Sequence, residues 1–293
     1  MTNAERQSLI AIPAIVAIAA GVAWAGSYQG VTHSGFPLFA IAAVLAFAIN
    51  WLAFVAAYLR QTERYFDLTG SLTYLALVFV TLALGGITPR SLLLGAIVCI
   101  WAVRLGSFLF ARISRDGADG RFDVLKPSLP RFLMTWTLQA LWVFLTLSCA
   151  LAAMTSGRAG ELDAAALTGA LLWAIGFGIE VLADSQKQRF RADPANRDCF
   201  IQSGLWAWSR HPNYFGEIML WVGVAVIALP ALSGWQYLTL VSPVFVYVLL
   251  TRISGIPMLE SRASRRWGQD PSYRSYKQRT PALLLKLPQT PGS

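Results

Sequence analysis

The chain has 293 residues, 56% hydrophobic and only 13% charged, about half the charged fraction of an ordinary globular domain. That composition excludes a conventional soluble protein and predicts an integral membrane one. The net charge of +9, from 24 Lys and Arg against 15 Asp and Glu, forms no basic stripe or tail, so no nucleic-acid partner is expected.

A bilayer core of about 30 Å is crossed by roughly 20 apolar helical residues. Eight runs of about that kind follow in order: Leu9 to Ala25, Phe36 to Leu59, Leu68 to Leu84, Leu92 to Phe110, Phe132 to Met154, Ala164 to Ala183, Ile218 to Leu232 and Gln236 to Leu250. The last two are short enough to pair as a hairpin, which leaves seven or eight spans. The fold class expected is therefore all-α, a polytopic helical bundle. It reads as a single membrane domain over 1–293: residues 1–110 a lipid-embedded wall, 111–281 a polar half, and 282–293 a tail. The first run lacks a strongly basic n-region, with Arg6 alone before it, and an A-x-A-type cleavage site, so it reads as a span and not as a removed signal. Cys99, Cys149 and Cys199 form no C-x-x-C pair, and neither a disulfide framework nor a thiolate metal site is indicated.

All of the Lys and Arg except Arg90, Arg104 and Arg158 fall at the termini or in the even-numbered loops. By the positive-inside rule both termini and those loops should be cytoplasmic.

Several polar groups sit where a membrane should not tolerate them. Arg104 lies inside the fourth run, and an Arg at the bilayer centre costs about 3 kcal/mol, so an interior carboxylate or anion is expected beside it. Arg104, Phe108, Arg112 and Arg115 share one helical face, a basic stripe that either enters a site or snorkels to headgroups. In the sixth run Glu180, Asp184, Gln188 and Arg191 step by four, four and three, which makes one polar ridge. A solvated helix end would look the same, except that Glu180 still lies at membrane depth.

The densest constellation is LWAWSRHPNYFGE, residues 205–217. Pro212 disfavours helix at His211 and suits a first helical position, so a turn should lead into the seventh span there. Arg210, His211, Asn213, Tyr214 and Glu217 would then gather at a helix N-terminus, where the dipole favours anions. The tail adds Glu260, Arg262, Arg265, Arg266, Trp267, Tyr273, Tyr276, Lys277 and Arg279. Such a juxtamembrane cluster binds anionic headgroups or, given its interleaved rings, a ligand with both rings and phosphates; Arg266 reads as surface. With only two His and no ligand spacing among the carboxylates no metal is expected, and the G-x-G-x-x-G, P-loop and G-x-S-x-G patterns are missing.

SRHPNYFGE, followed some forty residues on by ESRASRRWG and then YRSYKQRTP, resembles the C-terminal half of the steroid 5α-reductase and sterol reductase superfamily, over about residues 180–281. It looks most like that superfamily's bacterial membrane subgroup, distantly related to the isoprenylcysteine carboxyl methyltransferases. The resemblance implies the bacterial inner membrane, a cytoplasmic cofactor site, and NADPH with its nicotinamide end on Asn213 and Glu217. A carboxylate and an amide together satisfy the donor and acceptor of a primary carboxamide. It puts ribose and phosphate contacts on Asp184, Arg191, Arg112, Arg115 and the tail residues Arg262, Tyr273, Tyr276 and Arg279, with Arg210, His211, Tyr214 and Glu260 at the same site. The family's Glu and Tyr pair, which polarises the substrate carbonyl, is not matched, because Trp101 stands where the tyrosine is expected. Glu63, Tyr65 and Asp67, just before the third run, are the alternative source of an acid, or else a charged interfacial loop. The activity implied is hydride transfer to a conjugated double bond of a hydrophobic, steroid- or lipid-like substrate. An S-adenosylmethionine-dependent methyltransferase and a non-enzymatic lipid-binding or transport protein remain as other readings.

Overall fold

A computed structural model describes residues 1–158 and 160–287, so positions 288–293 of the expected tail lie outside the described residues. Helices α1 (Asn3–Gly26), α2 (Leu38–Leu59), α3 (Phe66–Gly85), α4 (Pro89–Asp116), α5 (Leu129–Met154), α6 (Ala164–Ala192) and α7 (Pro212–Ala228) follow the first seven apolar runs. Among the described residues eight helical stretches are long and apolar enough to cross a membrane. The protein is an all-α polytopic bundle whose outer faces meet membrane lipid.

Local chemistry sets the helix ends. Thr2 and Glu5 close a reciprocal capping box at α1, and Thr88 and Ser91 close another at α4, where Pro89 has no N–H to satisfy. α7 begins at Pro212 as expected.

The eighth run departs from expectation. Instead of one helix over Gln236–Leu250 the chain makes a 3-10 helix over Gly234–Leu240, then α8 (Val241–Val248), then a π-helical turn over Leu249–Ile253. Gly234 enters with a φ of +51°, and Ser233 and Gln236 box the start. Pro243 has no N–H to offer the Thr239 carbonyl, which instead accepts a hydrogen bond from the Ser148 hydroxyl at 2.9 Å. Two short helices in the tail, α9 (Ile256–Trp267) and α10 (Pro271–Arg279), and a hairpin of β1 (Thr32–His33) with β2 (Phe36–Pro37) are additions to the sequence reading.

The chain divides into two compact units, Met1–Leu167 with Ala225–Ser242, and Thr168–Val224 with Pro243–Ser293. In the first, α5 is the core: every residue from Val143 to Met154 is buried, with α1 to α4 packed around it. Arg90, at the start of α4, is 4% exposed. Its guanidinium donates to the carbonyls of Ile227 at 2.7 Å and Glu161 at 2.9 Å, and pairs with Asp163 at 2.9 Å. The lone charges of the odd loops thus include a structural clamp that ties the Ile227 carbonyl at the end of α7 to the segment before α6.

In the second unit α6 and α7 cross backbone to backbone. A Cβ at Gly216 would stand 2.5 Å from the Gly176 carbonyl oxygen and 2.7 Å from the Glu180 nitrogen; one at Gly223 would stand 2.6 Å from the Gly169 oxygen. Small residues seven apart on both helices, Gly169 and Gly176 against Gly216 and Gly223, permit this approach. Glu180 is buried beside the crossing.

Candidate functional site

The second unit holds a cavity of about 300 Å³ lined by α6, the segment 199–211, α9 and α10. Its floor is aromatic. Phe200 lies 5.2 Å from Tyr273, 5.5 Å from Tyr276 and 5.9 Å from Trp267, centroid to centroid, and the Lys187 ammonium sits 4.4 Å over the Trp206 ring, a cation–π contact. Around these rings stand Lys187, Arg191, Arg210, Arg262 and Arg266.

Glu260 organises one wall. Its carboxylate lies 3.1 Å from His211 Nε2, 3.3 Å from Arg210 Nε and 3.2 Å from Lys277 Nζ. Arg210 faces it as an ion pair without hydrogen-bond alignment at Nε, and gives an Nη1 proton to the Lys277 carbonyl at 3.0 Å. Burial lowers the His211 pKa, only partly offset by the Glu260 carboxylate, so the ring is neutral at pH 7. A neutral imidazole facing a carboxylate donates from Nε2, which leaves Nδ1 as an acceptor. That Nδ1 is buried and has no hydrogen-bond partner among the described residues. The imidazole stacks on Tyr214 at 5.7 Å and 11°.

The wall is closed from the far end of the chain. Trp208 to Arg210 run beside residues 281–286: Arg210 N–H donates to the Pro281 carbonyl at 2.9 Å, Ser209 Oγ to Leu283 at 2.9 Å, and Lys286 N–H to Trp208 at 3.0 Å. Tyr276 donates its hydroxyl proton to the Trp206 carbonyl at 2.7 Å.

The cavity therefore gathers Arg191, Arg210, His211, Glu260, Arg262, Tyr273 and Tyr276 of the expected set. Asn213, Tyr214 and Glu217 occupy the first two turns of α7, next in the chain to its wall but outside its lining, and Asp184 lies two turns before Arg191 on α6. Arg279 donates to Gln202 at 2.9 Å. Arg112 and Arg115 belong to the first unit, at the end of α4, where Arg112 pairs with Asp67 at 3.4 Å. Arg104 is half-buried, with its guanidinium 5.5 Å over the Phe108 ring.

Arg266 is exposed, as expected of a surface charge, but it also lines the cavity, pairs with Asp198 at 2.8 Å and donates to the Arg197 carbonyl at 2.6 Å. Lys187, Phe200 and Trp206 were missed. Lys187 follows Asp184 by three on the ridge already recognised, and that spacing was the available signal.

Glu63, Tyr65 and Asp67 do not converge. Glu63 is 6% exposed and bound to Lys126 Nζ at 2.8 Å and to the Asp119 N–H at 2.9 Å, which ties the loop after α4 to the turn before α3. Tyr65 is exposed and stacks on Phe110 at 6.4 Å. Burial would raise the Glu63 pKa, but Lys126 and the Asp119 amide override it and hold it below the ordinary value; an ionised carboxylate in this setting is a tie and not a proton donor. A depressed carboxylate pKa stabilises fully above its unfolded value of about 4.3 and loses that stability as pH falls through the folded value. Lys126, raised mainly by its bond to Glu63, loses its share only at strongly basic pH. Hydrogen exchange of residues 117–128 is thus expected to accelerate below about pH 4 beyond its intrinsic pH dependence, and Glu63→Gln should show fast exchange already at pH 6. An unchanged exchange profile in Glu63→Gln would refute the tie.

No curated protein and no solved structure matches the chain. A family model described as "Protein of unknown function (DUF1295)" matches residues 53–280, a span that takes in α3 to α10 and every residue of the cavity wall except the final 281–286 strap. The chain is a member of that family.

Proposed function

We propose that the protein is an integral-membrane, NADPH-dependent reductase that transfers hydride to a conjugated double bond of a hydrophobic, steroid- or lipid-like substrate, as its resemblance to the steroid 5α-reductase and sterol reductase superfamily implies. The observation that carries the reading is the cavity of the second unit, where five cations stand among six Phe, Tyr and Trp rings. Guanidinium forks bind phosphate oxygens bidentately and stay charged at all working pH values, and ring faces accept a purine. The donor set therefore fits a phosphate-bearing adenine nucleotide.

Bound there, NADPH supplies the hydride. The chain's own residues position it: Arg191, Arg210, Arg262 and Arg266 neutralise phosphate, His211 Nδ1 offers an acceptor, and Asn213 and Glu217, one turn apart on α7, are suited to hold a carboxamide through its amine and its oxygen. A second reading has its own support. Asn213 and Glu217 are outside the cavity lining, and about 300 Å³ is at the small end of ligand pockets, which suits S-adenosylmethionine and a methyl transfer.

Thermal unfolding in detergent separates the two, because stabilisation grows as RT ln(1+[L]/Kd). NADPH is expected to stabilise, NADH less, and S-adenosylmethionine not at all. Glu217→Gln and Asn213→Ala each remove one orienting hydrogen bond, about 1 to 3 kcal/mol, and should weaken NADPH binding or oxidation roughly ten- to hundredfold. Arg189→Ala, on the exposed side of α6, should change little. Stabilisation by S-adenosylmethionine alone would replace the reductase reading with the methyltransferase one.

We further infer from the Lys and Arg distribution that both termini and the cavity face the cytoplasm. Single cysteines at Ala118 and Gln269, in a background lacking Cys199, should label from one side and a cysteine at Ser34 from the other. Labelling of 118 and 269 from opposite sides would overturn this orientation.

A further inference from the structure

A polar pocket in the first unit has no part in the cofactor reading. Between α3, α4 and α5 lies a cavity of about 70 Å³ lined by Asp67, Ser71, Tyr74, Trp101, Gln139 and Trp142, among others. Carboxylate, hydroxyl and carboxamide groups on membrane-spanning helices are costly, and they persist where they serve a ligand or a pathway.

The glycines show that the space is made on purpose for polar side chains. A Cβ at Gly70 would stand 2.5 Å from Gln139 Nε2, and one at Gly106 2.7 Å from the Ser71 side chain. Gln139 thereby reaches across to α3, where its Nε2 donates to the Phe66 carbonyl at 2.7 Å. Its other atom is left over: Gln139 is 6% exposed, and Oε1 is buried with no hydrogen-bond partner among the described residues. A buried acceptor without a donor is destabilising, so its retention calls for a donor supplied from outside the chain.

The charge pattern says what kind. Asp67 adds a second acceptor, and Arg112 pairs with it at 3.4 Å. The Ser71 and Tyr74 hydroxyls on the same lining can give as well as receive, so a group that does both, a hydroxyl, suits the pocket. The volume admits a hydroxyl and two or three carbons, so the remainder of any longer molecule must lie outside. Trp142 on the rim is 38% exposed, and at membrane depth its exposed face meets hydrocarbon.

We propose that this pocket binds the hydroxyl end of a membrane-soluble alcohol, with Gln139 Oε1 accepting the hydroxyl proton and the chain of the alcohol lying along Trp142 in the bilayer. The site is independent of the nucleotide reading of the second unit.

The test uses the full chain in detergent and a matched set of probes: farnesol, its methyl ether and farnesal, which share one carbon skeleton and differ in whether the oxygen carries a proton. Farnesol is expected to raise the unfolding temperature in a saturable way, the ether and the aldehyde not. Gln139→Met, similar in length but without the acceptor, should weaken farnesol at least tenfold. Should Gln139→Met fail to fold, Gln139→Leu serves, since it likewise removes the acceptor and must abolish the preference for farnesol over its ether and aldehyde. Equal shifts for farnesol and its ether, or an unaltered preference in either folded variant, would overturn the proposal, since neither outcome involves recognition of the hydroxyl by Gln139. Stabilisation by NADPH, measured in the same samples, distinguishes failure here from failure of the reductase reading.

Discussion

Gly216→Ala is expected to lower the unfolding temperature sharply, and Gly216→Leu to prevent recovery of folded protein. The added Cβ meets the Gly176 oxygen at 2.5 Å and the Glu180 nitrogen at 2.7 Å, and both are backbone atoms that cannot rotate away. The helices must separate along their whole crossing, which also opens the Gly223 and Gly169 contact two turns on. Overpacking costs about 1 to 3 kcal/mol where side chains can adjust; here about 3 kcal/mol or more is expected even for alanine. Gly176→Ala should cost as much, and the double variant less than the sum, because both act on one contact. Gly178, on the same helix α6, has nothing within 4 Å of its virtual Cβ. Gly178→Ala should therefore be neutral or stabilising by up to about 1 kcal/mol from helix propensity. Similar melting of the 176 and 178 variants would mean that the helices do not cross this closely.

Arg90→Leu should be nearly as damaging. Removing a buried guanidinium leaves two carbonyls and a carboxylate without their donor, a loss on the order of 3 to 5 kcal/mol. Arg90→Lys is not expected to rescue it, since a single ammonium cannot replace a planar fork that reaches Ile227, Glu161 and Asp163 together. Asp163 is 45% exposed, so water can replace it as a partner and Asp163→Asn should cost under about 1 kcal/mol. Chemical-denaturant or thermal unfolding of the three variants checks the order; a lysine variant as stable as the unaltered chain would refute the clamp.

Apolar runs are readable because burial in lipid acts on every residue of a span and needs no knowledge of neighbours. Seven helices follow their runs, and Pro212 marked the start of α7 because its own ring fixes φ. The eighth run is long and apolar enough to cross, as read, but hydropathy is blind to backbone hydrogen bonding: the change of helix type turns on Pro243 and on Ser148, ninety-one positions from the Thr239 carbonyl it serves. Distance in sequence likewise hid the link between His211 and Glu260, forty-nine positions apart; both were selected, but nothing local showed that they touch. The glycine of SRHPNYFGE was read as part of a motif, whereas its place at Gly216 answers to the backbone of another helix. Arg90 was legible as a charge on the sparse side but not as a clamp, since its acceptors are main-chain carbonyls that leave no mark in residue identity.

The strap formed by residues 281–286 has a consequence for the order in which the protein is made. Ser209 meets its carbonyl partners only after 73 or 74 further residues have been added, roughly 4 to 15 s of synthesis at about 5 to 20 residues per second. During that interval α6 and α7 can already be inserted and crossed at their glycines, while the segment carrying Trp208, Ser209 and Arg210 waits without its hydrogen-bond partners and Glu260 and Lys277 have still to emerge. A ribosome arrested before Pro281 would thus hold a chain whose 208–210 segment still lacks the main-chain partners that close the cavity wall.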